Sequence, residues 1–158
     1  MNVLELSHQR WFQDLPKAQQ QLVRLSVELL DREKRMHTNF PDYSFVIFPI
    51  AKAYEGFIKN FFYRRGLISH ETFRGKRFRV GRSLNPDIAQ HYQDDWWLYD
   101  DLSKMCGATV ARQLWDAWIE CRNHVFHYFP ESQTEYSLLE IEKKVLLLLD
   151  VMAYASEC

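Results

Sequence analysis

At 158 residues the chain is most simply one domain, long enough to bury a real core. With 47% apolar residues, 15% aromatics and five glycines it is neither disordered nor of low complexity. Twenty basic residues against 21 acidic ones leave a net charge of −1, so a polyanionic partner must be argued from local clusters and not from the global balance.

The apolar pattern is helical almost throughout. Residues 2–13 are expected to hold a short helix presenting Leu4, Trp11 and Phe12. A first long helix is expected to begin near Pro16, a residue welcome in a first turn, to carry Leu22, Leu25 and Leu29 inward, and to end before Pro41. Asp42 or Ser44 is a suitable cap for a second helix that reaches Gly66, its expected stop. That helix is apolar on nearly every side, which predicts burial all round, either at the centre of the fold or at a subunit interface.

Residues 67–84 break the helical pattern. Asn85-Pro86-Asp87 then offers a cap, a first-position proline and an early acid, predicting a third helix to about Met105 that stops at Gly107. A fourth helix is expected over about 108–128, ended by Pro130, which disfavours helical geometry at Phe129. Ser132 and Glu135 have capping-box spacing for a fifth helix ending near Ala155. No repeat or linker interrupts this order. The expectation is an all-α bundle of about five helices, residues 1–158 forming one domain with its core over about 20–155.

Two charges stand on faces that the periodicity assigns to the core. In the fourth helix Leu114, Trp115, Trp118, Ile119, Val125 and Phe126 form an apolar stripe with Arg122 in its middle. In the second helix Ile47, Phe48, Ala51, Tyr54, Ile58, Phe61 and Phe62 form another, with Glu55 at its centre. An isolated buried charge is costly, so Glu55 is expected to approach Arg122. Such a pair either fixes helix register or aims the guanidinium into a polar cleft, where it meets phosphate in a forked geometry.

His127 bears on that choice. At about 100° per residue it lies roughly 140° around from Arg122 on a continuing helix, so the two converge only near a helix end. Asn123 adds an amide beside them. Arginine, histidine and amide at a helix terminus suit metal-free phosphodiester cleavage, histidine moving protons and arginine stabilising charge on phosphorus.

The segment Arg74-Gly75-Lys76-Arg77-Phe78-Arg79-Val80-Gly81-Arg82 carries five basic residues in nine. Alternation of Arg77 and Arg79 with Phe78 and Val80 predicts an extended stretch, one face solvated and the other packed. It reads as an arm that tracks the phosphates of single-stranded RNA, as an ordinary charged surface loop, or as one that pairs with acids of a partner. Cys121, His124 and His127 diverge too far around a helix to hold zinc, and Asp94-Asp95 with Asp100-Asp101 read as a solvated helix face, so no metal or cofactor is expected. No glycine-rich phosphate loop, G-x-S-x-G or H-E-x-x-H occurs, which disfavours kinases, serine hydrolases and zinc proteases.

Cys106, Cys121 and Cys158 form no C-x-x-C pair and leave one over, so they read as free thiols in a reducing compartment. No leader and no membrane span is expected, since no uncharged run approaches the roughly 18 residues of a span. The expected location is the cytoplasm.

Arg122, Asn123 and His127, with four residues between the arginine and the histidine, resemble the motif of the HEPN superfamily of small helical ribonuclease domains. Ala53-Tyr54-Glu55-Gly56-Phe57-Ile58-Lys59, followed by Gly66-Leu67-Ile68, is similar to the HEPN domain of RNase LS-type toxins, which carry a functional glutamate there. The resemblance spans about residues 20–155 and implies an HEPN-like fold with Glu55, Arg122 and His127 as its active-site set. It further implies a homodimer with facing motifs and metal-independent endoribonuclease activity leaving a 2′,3′-cyclic phosphate. A toxin or antiviral-defence role, restrained by a cognate antitoxin or inhibitor protein, is implied as well. Tyr128 follows His127 directly, where a related toxin group has one residue between histidine and tyrosine. That group's silencing by nucleotidylation of the tyrosine is therefore not implied. The alternatives are an inactive helical module of the same fold that binds RNA or a protein, and a plain helical dimerisation protein.

Overall fold

The computed structural model describes residues 3–128, 130–131 and 135–158. Among them the chain is all-α, with no strand. Two short helices, α1 (Val3–Ser7) and α2 (Arg10–Gln13), lead into α3 (Lys17–Met36) and α4 (Ser44–Arg64). After the short α5 (His70–Arg74) and α6 (Val80–Ser83) come α7 (Tyr99–Cys106) and α8 (Ala108–Trp118). The α8 axis continues through a π-helical turn (Ile119–Asn123) into α9 (His124–Phe126), and α10 (Leu138–Ser156) closes the fold. Helices are therefore more numerous than the five expected, because the segments between the long ones fold into single turns.

Helix α4 is the centre. It packs against α3 along most of its length, against α10, and against α5, α6 and the π turn. Asp42 Oδ1 accepts from Ser44 N–H at 3.1 Å and Tyr136 N–H at 3.0 Å, tying the start of α4 to the approach to α10. The far end stops at Gly66 as expected. Its φ of +72° is open to glycine, and Leu67 N–H reaches back to the Phe62 carbonyl at 2.9 Å. Pro49 stands inside α4, and the next residue, Ile50, donates its N–H to the buried Ser26 hydroxyl of α3 at 2.9 Å. A buried serine facing a proline-interrupted helix thus serves a backbone donor.

Burial of α4 is not complete. Phe45, Phe48, Lys52 and Glu55, at helical spacing, form an exposed stripe between walls of buried neighbours. Phe45 is 41% and Phe48 56% exposed. With apolar residues almost all round, periodicity alone does not say which narrow sector stays open, and Glu55 falls in that sector instead of the core.

Several expected boundaries shift. The buried face of α3 is Val23, Ser26, Val27, Leu30 and Glu33, one residue out of phase with the expected Leu22, Leu25 and Leu29. Leu25 is exposed, while Leu22 and Leu29 pack at the margin. Near the N-terminus Leu6, not Leu4, joins Trp11 and Phe12 in the core. The helix expected from Asn85 begins only at Tyr99. Asn85 Oδ1 accepts from Asp87 N–H at 2.9 Å as a turn, and Leu98 N–H is held by the Ser83 carbonyl at 2.9 Å. Long-range ties thus override a good local start signal. The stop at Gly107, φ +90°, holds. For α10, Ser132 lies outside the described residues, and the capping box is made by Ser137 and Glu140.

Cys106, at the end of α7, is bonded to Cys158. Only Cys121 among the three is free, and it is buried. This corrects the expectation of three free thiols and removes the thiol argument for a reducing compartment. No helix of the described residues is long and apolar enough to cross a membrane.

Candidate functional site

The π turn builds the site. An α-helix carried past Arg122 would point His127 well away from it. Instead, one turn of i→i+5 geometry covers Ile119–Asn123, α9 lasts three residues, and His127 leaves the helix in an extended conformation at φ −103°, ψ 133°. Arg122 Nη1 and His127 Nε2 come to 3.1 Å. A guanidinium has donors only, so Nε2 is the acceptor and the imidazole proton sits on Nδ1 in this arrangement. The lone pair that accepts from Arg122 is the one that general-base chemistry needs.

Glu55 approaches from α4. Its Oε2 lies 3.8 Å from Arg122 Nη2, an ion pair beyond hydrogen-bond distance. Neither partner is buried as the stripes predicted: the Arg122 side chain is 31% and Glu55 48% exposed. The guanidinium sits at the edge of the apolar stripe, over the Trp118 ring at 5.0 Å. A pair this exposed contributes little to stability, on the order of 0–1 kcal/mol. It orients the guanidinium without neutralising a buried charge. The acid that is truly buried is Glu33, whose carboxyl the Thr38 hydroxyl and Arg32 hold below the usual carboxylate range.

Arg122 and Glu55 stand between two concavities. On one side a cleft of about 390 Å³ is lined by Arg79, Arg82, Asn85, Trp118 and Asn123. On the other a hollow of about 310 Å³ is lined by Phe48, Lys52, Phe126 and His127. The structure thus brings two residues of the basic segment, Arg79 and Arg82, to the same cleft as Arg122 and Asn123. Arg74, Lys76 and Arg77 are exposed but do not line it. Phe78 and Val80 are buried while Arg77 and Arg79 are solvated, so the alternation is as expected. Helix α6, however, begins at Val80, within the segment expected to be extended. Arg82 also pairs with Asp94 at 2.8 Å and donates to the Tyr92 carbonyl at 3.0 Å, which fixes its side chain along the cleft.

The sequence placed Trp118 only in an apolar stripe and gave Gly81 no part in the site. A Cβ added at Gly81 would lie 2.6 Å from Trp118 Nε1, so α6 packs its backbone directly on the ring that carries Arg122. Trp118, one turn before Arg122, was readable from helical spacing. Gly81 was not, because its role depends on a contact between segments far apart in sequence. Among the described residues no group of three or more His, Cys, Asp or Glu side chains is placed to hold a metal ion.

The fold is that of an all-α protein, and the site is an arginine–histidine pair at a helix end beside a basic cleft. No family model, curated protein or solved structure matches the chain.

Proposed function

We propose that this chain is a metal-independent endoribonuclease of the HEPN type, acting as a homodimer, without cofactor, in a toxin or antiviral-defence role restrained by a cognate inhibitor protein. The observation that carries the reading is the 3.1 Å approach of Arg122 Nη1 to His127 Nε2 at the mouth of a cleft that Arg79 and Arg82 also line. The motif that resembles the family therefore forms a spatial unit, with Glu55 of the second motif at 3.8 Å.

In this mechanism a scissile phosphate lies against Arg122, with Asn123 donating to a phosphate oxygen. His127 Nε2, freed as the Arg122 guanidinium turns from it to the phosphate, takes the proton of the ribose 2′-hydroxyl, whose oxygen attacks phosphorus. The bond to the 5′-oxygen breaks, that oxygen takes a proton from solvent, directly or through Glu55, and a 2′,3′-cyclic phosphate remains. Arg122 stabilises the charge that builds on the phosphoryl oxygens. Glu55 orients the guanidinium or supplies the complementary proton transfer. Positioned acid–base groups contribute about 10²–10⁴-fold each.

The test is incubation of the purified protein with single-stranded RNA, with and without EDTA, followed by analysis of the new 3′ ends. The expected result is cleavage unaffected by EDTA and cyclic phosphate ends. Cleavage abolished by EDTA, or 3′-hydroxyl ends, contradicts the mechanism. RNA binding without any cleavage favours the inactive binding module.

A further inference from the structure

The hollow on the far side of Arg122 is unlike the basic cleft. Phe48 forms its wall, 56% exposed, with the Phe126 ring edge-on to it at 5.5 Å between centroids and 88° between planes. Phe126 immediately precedes His127, and Lys52 follows Phe48 by one helical turn on the same exposed stripe. A large aromatic left in water on an otherwise buried helix costs hydrophobic stabilisation, and here it stands beside the candidate reacting groups. The Phe126 edge fixes the orientation of the Phe48 ring, and the hollow, about 310 Å³, falls within the range that small-molecule sites occupy. An ordered aromatic beside cations is the pairing by which single strands are held: the ring takes a base face, the cations take phosphate.

We propose that Phe48, braced by Phe126, is the stacking platform for the nucleobase next to the scissile phosphate, with Lys52 meeting the following phosphate. The strand then runs from the Arg79–Arg82 cleft, across Arg122 and His127, onto Phe48. A base can reach that ring only when it is unstacked and unpaired, so the substrate is single-stranded RNA or a loop, and duplex is excluded. This inference rests on the ribonuclease reading and adds to it the strand path and the ring that takes a base.

The experiment measures binding of a fluorescein-labelled 2′-O-methyl oligonucleotide, which lacks the attacking hydroxyl, and of a fully abasic strand of the same length. It compares the unaltered chain with Phe48→Ala and Phe48→Trp. Expected are roughly tenfold weaker binding of the base-bearing strand by Phe48→Ala, retention by Phe48→Trp, and equal binding of the abasic strand by all three. Equal affinity of Phe48→Ala for the base-bearing strand overturns the platform, as does an equal loss on the abasic strand. Conversion of a dimer to monomers by Phe48→Ala, with RNA affinity per protomer unchanged, also overturns it and assigns Phe48 to contact with a second copy of the chain. If the unaltered chain neither binds nor cleaves single-stranded RNA, the ribonuclease reading itself falls. Binding and cleavage that ignore Phe48 remove the platform alone.

Discussion

The surroundings of Arg122 use the geometry of the guanidinium as much as its sign. The guanidinium carbon lies over the Trp118 ring, one nitrogen faces Glu55 and the other donates to His127 Nε2. A lysine at this position presents a point charge without the fork. Arg122→Lys is accordingly expected to lose about 10²-fold or more in RNA cleavage while its circular dichroism and melting stay close to the unaltered chain, and near-full activity would show that charge alone suffices. Cys121 illustrates the opposite kind of residue. Burial pushes its thiol up to about 12, so the folded protein should not react with iodoacetamide at pH 8, whereas the denatured chain should. Rapid labelling of the native state would place that thiol at the surface. At this scale the sequence was legible in pairing and not in depth. It named Glu55 with Arg122, yet the acid that is buried is Glu33, set on the face of α3 that the periodicity placed one residue away.

The decisive element is the π turn between α8 and α9. Helical geometry alone separates Arg122 from His127 by roughly 140°, and the chain closes that gap by changing its hydrogen-bond ladder and then leaving the helix. Pro130 indicated a helix end in this region, but nothing in residues 119–123 announces i→i+5 geometry, and the turn lies packed against α4 and α10. Helix α6 contributes through Gly81, whose missing side chain lets it sit on Trp118. Gly81→Ala is expected to force Trp118 to move, costing about 1–3 kcal/mol in denaturant unfolding and lowering cleavage with it. Unchanged stability and unchanged cleavage would show that the ring accommodates a methyl freely. The same dependence on distant partners explains the helix misplaced at Asn85. Its local signals are sound, but Asn85 Oδ1 is used in a turn and the backbone near Leu98 is held by Ser83.

At the scale of the whole molecule, the composition and the long apolar helices were sufficient for the all-α class, and the positions of α4, α8 and α10 follow from that pattern. The staple between Cys106 and Cys158 was not legible, because three unpatterned cysteines do not declare which two meet. The bridge spans a sequence separation of 52 residues, and reduction is expected to lower stability by about 2–4 kcal/mol. Denatured without reductant, the chain should titrate a single thiol, Cys121, and three thiols without reduction would show that the bridge does not form. The net charge of −1 gives no attraction for a polyanion over the molecule as a whole. The measurement that bears most directly on the account is the initial rate of single-stranded RNA cleavage by the unaltered protein and by His127→Ala, prepared and assayed side by side. The account predicts cleavage by the first and a loss of at least about 10²-fold in the second with the fold retained. Equal rates in both would contradict it.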